Sequence, residues 1–147
     1  MTTQFHSEHH ARLNMLAGLW DTVITMLGPD GSEGESSQAT DNYTWMPNGH
    51  FLVHEVDATM AGKPVQSMEI FGVDSATGAF FSRSYDADGS VNDFTARIVQ
   101  RQFSIDGQSQ RFAGTFSQDG RTMRGEWKQL AEGQWLPFVR IVLTKRA

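Results

Sequence analysis

His54 is the residue of this sequence whose type and surroundings point most directly to chemistry. It lies in the alternating run 50–60, and the other residues on its face of a strand are apolar: Leu52, Val56, Ala58 and Met60. An unpaired polar group in an apolar interior costs about 1 to 3 kcal/mol on mutational scales. We therefore expect the imidazole to have a partner: a bound ligand, an ordered water or an inward polar residue such as Arg83, Tyr85 or Gln66.

Proton transfer is the chemistry that such a histidine offers, because histidine is the natural general acid or base near neutral pH. In a dry pocket, His54 with Tyr85 or Arg83 would transfer a proton or orient a substrate, and these three residues are the candidate catalytic set. The run 79–85 alternates between two sets of mixed polarity, so its inward face stays open. The alternative is a core histidine that is hydrogen-bonded to a tyrosine or to backbone.

Other site chemistries have little support. His6 falls on one helical face with His9 or His10, but nothing else in this segment completes a metal site, and we predict none. The chain has no cysteine, which excludes disulfides, thiolate catalysis and cysteine-based zinc sites. The sequence contains no recognisable phosphate-binding loop and no nucleophile with an adjacent base. We therefore predict no cofactor.

Composition limits the partners. The formal net charge is -5 and no cluster of lysine or arginine occurs, so a nucleic-acid surface is not expected. The N-terminal segment is polar and no run is long enough to span a bilayer, so we expect no membrane association and a soluble, cytoplasmic protein. A homodimer through an outer sheet face is the base-rate expectation.

The elements that must position these residues are almost all strands. With 147 residues and 39% hydrophobic content, residues 1–147 fit a single domain, in which 1–17 form a helical segment capped by Ser7 or Thr3. Glycine-rich turns separate about nine or ten alternating runs, near 20–27, 39–46, 50–60, 66–73, 79–85, 91–99, 101–105, 110–117, 122–129 and 135–145. An antiparallel sheet with so many strands must close or fold over to remove its edges. The prediction is an all-β antiparallel barrel.

Trp20 opens the first strand directly after the break at Gly18, and we expect its indole to plug one end of the barrel. The inner faces of the strands then predict a cavity for a small ligand, lined by Trp20, Ile24, Tyr43, Trp45, Leu52, His54, Val56, Met68, Phe112, Phe116 and Trp127. The alternative is a barrel filled by its own side chains.

Several motifs together resemble those of the DUF1579 family of bacterial proteins of unknown function. They are Leu16-Ala17-Gly18-Leu19-Trp20, the run from Pro47 to Glu55, Gly62-Lys63-Pro64, and the run from Ile70 to Gly78. That family is similar in turn to the lipocalin and calycin barrels. The resemblance implies a barrel with a central cavity and assigns no chemistry.

The lipocalin likeness further implies a basic residue packed over the first tryptophan, and Arg140, Lys145 and Arg146 are its candidates. Nitrobindins, a related barrel family, bind haem through a histidine late in the chain. This sequence has no histidine after His54, so haem binding of that kind is not expected.

These observations lead to two hypotheses. The first is a module that binds a small apolar or aromatic molecule in the barrel. The second is a small barrel enzyme, similar to cyclases or isomerases of bacterial secondary metabolism, in which His54 acts with Tyr85 or Arg83.

Overall fold

A closed antiparallel barrel makes up most of this protein in its computed structural model, which describes residues 4–147. Within that range there are ten strands: β1 (Gly18–Leu27), β2 (Glu33–Trp45), β3 (Leu52–Met60), β4 (Lys63–Val73), β5 (Phe80–Tyr85), β6 (Val91–Val99), β7 (Gln102–Asp106), β8 (Gln110–Phe116), β9 (Thr122–Ala131) and β10 (Gln134–Lys145). Each strand pairs with its neighbours in sequence, and β10 pairs with β1. The predicted all-β barrel is confirmed.

A short helix, α1 (Glu8–Leu13), and a 3-10 turn (Asn14–Leu16) precede the barrel. Ser7 is the N-cap, since its hydroxyl accepts a hydrogen bond from the backbone N–H of His10 at 3.2 Å. Thr3, the other predicted cap, lies outside the described residues. Leu13 and Leu16 are fully buried, so this segment covers one end of the barrel with apolar side chains.

Trp20 closes the barrel at the end covered by α1. Its side chain is 1% exposed, and its indole N–H donates to the carbonyl of Leu16 at 2.8 Å. The Lys145 ammonium lies 4.8 Å from the centre of the Trp20 ring. Of the three candidates, Lys145 is therefore the basic residue that packs over this tryptophan. The plug therefore ties the 3-10 turn, the first strand and the last strand together.

The two ends of the barrel differ. Because neighbouring strands are antiparallel, the odd-numbered strands begin at the end covered by α1 and run towards the opposite end. Large buried side chains fill the α1 end, among them Leu52, Phe71, Phe80, Phe116 and Leu143. At the opposite end β3 and β4 are joined by a tight turn in which Ala61 and Gly62 both have positive φ (52° and 76°).

The structure corrects the start of one strand and settles the inward face of another. The run predicted near 39–46 begins earlier, because β2 starts at Glu33, which pairs with Leu27 across a bulge in β1. In β5 the structure settles the inward face: Phe80 and Ser82 are buried, whereas Arg83 and Tyr85 are exposed.

Candidate functional site

A cavity of about 450 Å³ occupies the barrel between the Trp20 plug and the opposite end. Its walls are largely apolar, with the aromatic side chains of Phe103, Phe112, Trp127 and Phe138 among them. Met60, Asp86 and Phe138 lie where the cavity reaches the end opposite α1. The interior is thus packed at one end and open at the other.

The predicted cavity residues fall into three groups. Those that line the cavity are Ile24, Tyr43, His54, Val56, Phe112 and Trp127. Those that lie in the packed end beneath it or beside α1 are Trp20, Trp45, Leu52 and Phe116. Met68 lies on the outer face of β4 and is 38% exposed, which corrects its predicted inward position.

Five polar side chains form a hydrogen-bonded chain inside the barrel, which we call the polar arc: Thr22, Asp41, His54, Glu69 and Ser82. They come one each from the adjacent strands β1 to β5. The Thr22 hydroxyl donates to Asp41 Oδ1 at 2.5 Å, and Ser82 Oγ donates to Glu69 Oε2 at 2.8 Å.

His54 is the centre of the polar arc, because both of its ring nitrogens meet a carboxylate. Nε2 lies 2.6 Å from Asp41 Oδ2, and Nδ1 lies 3.2 Å from Glu69 Oε1. Burial by itself lowers the pKa of His54, but the hydrogen bonds and charges of Asp41 and Glu69 outweigh it and raise that pKa to about 9. His54 is therefore an imidazolium at neutral pH, and both N–H groups donate.

Tyr43 stacks on this imidazolium and presents its hydroxyl to the cavity. The two ring centroids are 3.9 Å apart and the ring planes differ by 8°. Burial, followed by the charges of Asp41 and Glu69, raises the pKa of Tyr43 well above its usual value, so the hydroxyl keeps its proton. Among residues 4–147, no side chain or backbone group hydrogen-bonds to this hydroxyl. It is a free donor and acceptor at the cavity wall.

Comparison with known proteins identifies the family. The model of DUF1579, described as a protein of unknown function, matches residues 6–145. This chain is a DUF1579 protein. Among curated proteins, no sequence matches it.

The DUF1579 barrel also resembles a solved structure, that of an S-type phycobiliprotein lyase from Guillardia theta. The two share 8% sequence identity with a TM-score of 0.57, over 99% of each chain. A likeness at that level of identity shows a shared fold and no more.

The partners that the sequence suggested for His54 are not the ones it has. Arg83 and Tyr85 lie on the outer face of β5, where Arg83 pairs with Asp93 at 2.7 Å. Gln66 lies on the exposed face of β4. The strand register accounts for the partners that His54 has. Glu69 is opposite His54 in the β3–β4 ladder. Ser82 is opposite Phe71 in the β4–β5 ladder. The predicted grouping of His54 with Tyr85 or Arg83 does not occur.

Sequence reasoning missed four members of the polar arc, the carboxylates of Asp41 and Glu69 and the hydroxyls of Thr22 and Ser82. A signal for Asp41 was present, because it shares its strand face with Tyr43 and Trp45, both predicted to point inward. Glu69 had no comparable signal. Both faces of β4 carry apolar residues, and only the pairing register with β3 sets its inward face.

The N-terminal histidines form a separate cluster at the α1 end. His6 stacks on His50 at 3.8 Å between ring centroids, and His10 meets both rings edge-on. His6 Nε2 lies 2.7 Å from the carbonyl oxygen of Asn48. In the described part of the chain, no group of three or more His, Cys, Asp or Glu side chains is arranged to hold a metal ion. The same residues include no helix long and apolar enough to cross a membrane.

Proposed function

We propose that this DUF1579 protein binds a small molecule with an apolar or aromatic body in the barrel cavity. The observation that carries the proposal is the unfilled interior of about 450 Å³, with aromatic walls on one side and a polar cluster on the other. Pockets for small ligands usually measure about 300 to 1,000 Å³ and combine apolar walls with a few placed polar groups. This cavity has both properties.

The polar groups are held in place before any ligand arrives, which supports a binding role. Asp41 and Glu69 fix the imidazole of His54 from both sides, and Thr22 and Ser82 fix the two carboxylates. Preorganised groups lose little conformational entropy on binding. The free hydroxyl of Tyr43 is the group of this cluster best placed to meet a ligand.

The enzyme hypothesis has less support from the geometry. A general base needs a free lone pair and a pKa near the working pH. Both ring nitrogens of His54 are occupied, and a pKa of about 9 keeps the ring protonated near neutrality. A catalytic role for His54 as a base would require the polar arc to open.

A cavity-filling variant tests the binding proposal directly. Ala58 is buried and lines the cavity, so Ala58→Phe should occupy part of the space, whereas Ala113→Phe adds the same ring on the outer face of β8. We expect the neutral dye Nile red to bind the wild type and Ala113→Phe and to bind Ala58→Phe several-fold more weakly. Equal dye binding by both variants would place the dye outside the barrel and contradict the proposal.

Native mass spectrometry of freshly purified protein, followed by organic extraction, would identify any molecule that copurifies. The same spectra report the subunit number, and a homodimer remains our prediction. A cytoplasmic location also remains a prediction, which fractionation of the source cells would test.

A further inference from the structure

The cavity is polar on one side only. The polar arc spans β1 to β5, and at its two ends the cross-strand neighbours are apolar: Leu143 opposite Thr22 and Phe94 opposite Ser82. The wall formed by the remaining strands includes Phe103, Phe112, Met123 and Ile141. A ligand that fits this interior is amphipathic, with its polar group turned towards the arc.

Acidic side chains outnumber basic ones on the polar side. Two carboxyl groups, those of Asp41 and Glu69, face the single imidazole of His54. Asp86 adds a further carboxylate where the cavity reaches the end of the barrel. Of residues 4–147, no lysine or arginine lines the cavity. A buried anion would find no cationic partner here beyond His54, which is already paired twice.

The hydrogen-bonding capacity of the arc is also unbalanced. The donors of Thr22, His54 and Ser82 are all used, and each carboxylate oxygen of Asp41 and Glu69 accepts one hydrogen bond within the arc. A carboxylate oxygen has two lone-pair sites, so acceptor capacity remains while donor capacity does not. Tyr43 and Ser67, whose hydroxyls can accept as well as donate, line the same cavity.

From these two imbalances we propose that the ligand carries a hydrogen-bond-donating head group, a protonated amine, on its apolar body, and that carboxylic acids are excluded. The amine would lie against the polar arc and supply the positive charge and the donors that the arc lacks. The apolar body would lie against the aromatic wall. This inference rests on the proposed binding function and adds the chemical class of the ligand.

A matched set of probes tests the inference on the wild-type protein. The set is 2-(1-naphthyl)ethylamine, 2-(1-naphthyl)ethanol, 1-naphthylacetic acid and 1-ethylnaphthalene, which share one aromatic body and differ in the head group. Titration calorimetry at neutral pH should give the tightest binding for the amine, roughly tenfold or more tighter than for the acid. An acid that binds as tightly as the amine would overturn the inference.

The hydrocarbon separates failure of this inference from failure of the proposed function. If 1-ethylnaphthalene binds and the amine has no advantage over it, the cavity binds apolar bodies and the head-group inference is wrong. If none of the four probes binds, the proposed function fails and this inference fails with it.

A pair of charge-neutralising variants then tests whether the preference for the amine over the acid arises at the polar arc. Glu69→Gln removes one carboxylate of the polar arc, while Glu55→Gln removes an exposed carboxylate from the outer face of β3, next to His54 in sequence. We expect Glu69→Gln to lose most of the preference for the amine over the acid and Glu55→Gln to keep it. A preference that Glu69→Gln and Glu55→Gln change equally would show that surface charge alone attracts the amine and would overturn the inference. If Glu69→Gln does not fold, the order of affinities of the four probes for the wild-type protein still decides whether the inference holds.

Discussion

Tyr43 and His54 lie face to face inside the barrel, with ring centroids 3.9 Å apart and ring planes within 8° of parallel. They are cross-strand partners on β2 and β3, so the ladder itself sets the stack. The stack places an aromatic face against an imidazolium whose two N–H groups point to Asp41 and Glu69. The same arrangement leaves the Tyr43 hydroxyl free at the cavity wall. We therefore expect substitutions of the two residues to have different effects on stability.

Removal of the Tyr43 hydroxyl should barely change stability. Tyr43→Phe keeps the ring stack and breaks no hydrogen bond between described residues, so we expect the free energy of unfolding to change by less than about 1 kcal/mol. Thr22→Val is the contrast, because it leaves the buried carboxylate of Asp41 without one donor and should cost about 1 to 3 kcal/mol. Urea denaturation measures both. A large loss for Tyr43→Phe would mean that the hydroxyl has a structural partner.

Stability should fall on the alkaline side through His54. Its pKa is raised in the folded protein to about 9 from 6.5, so the folded state binds the proton more tightly than the unfolded chain. The resulting stabilisation is complete below about pH 6.5 and is lost as the pH rises through about 9, with a magnitude on the order of 3 kcal/mol. Urea midpoints at a series of pH values would measure it.

The matched variant for that experiment is His54→Gln, which removes the titrating group. It should lower stability near neutral pH and flatten the alkaline limb between about pH 6.5 and 9. An alkaline limb that is equally steep in His54→Gln would assign the titration to another group and contradict the prediction.

Trp20 should contribute far more to stability than a tryptophan on the barrel surface. Trp20→Ala removes a fully buried indole and its hydrogen bond to Leu16, and should cost on the order of 3 to 5 kcal/mol. Trp135 is the matched control, since it is half-buried and lies under the guanidinium of Arg111. Thermal unfolding of the two alanine variants measures the difference. Similar losses for both would show that Trp20 does not plug the barrel.

The sequence predicts the features of this protein that depend on local pattern. The Gly18 break, the plug at Trp20 and the inward position of His54 all follow from period-two alternation and from backbone freedom at glycine. The turns at glycine positions separate the strands clearly enough to predict an antiparallel barrel. These properties need no knowledge of which residues meet across strands.

The partners of His54 could not be predicted in the same way, because pairing register decides them. A shift of one residue in β4 would turn Met68 inward and Glu69 outward, and both alternatives bury apolar side chains on that strand. In β5, Phe80 and Phe81 place one phenylalanine on each face of the strand, so hydrophobicity alone does not identify the inward face. In the folded protein the observed register turns Glu69 inward, where it meets both His54 and Ser82.

Acidification should destabilise the α1 end of the barrel, with a sign opposite to that of His54. Burial, followed by the nearby charges of His6, His50 and His9, lowers the pKa of His10, so the folded state binds this proton less tightly than the unfolded chain. The corresponding stability is present above the unfolded pKa of 6.5 and is lost as the pH falls below it towards the lowered folded value.

His10→Gln separates this acid limb from the effect of His54. It keeps a polar side chain beside Ser7 and removes the titrating group, so we expect a shallower loss of stability below about pH 6.5 and an unchanged alkaline limb. His54→Gln should show the reverse pattern, because the two histidines lie in different parts of the barrel and do not share a partner. Urea denaturation of both variants across the pH range checks the two limbs together. If His10→Gln left the acid limb unchanged, His10 would not be the source of the acid sensitivity and the prediction would be contradicted.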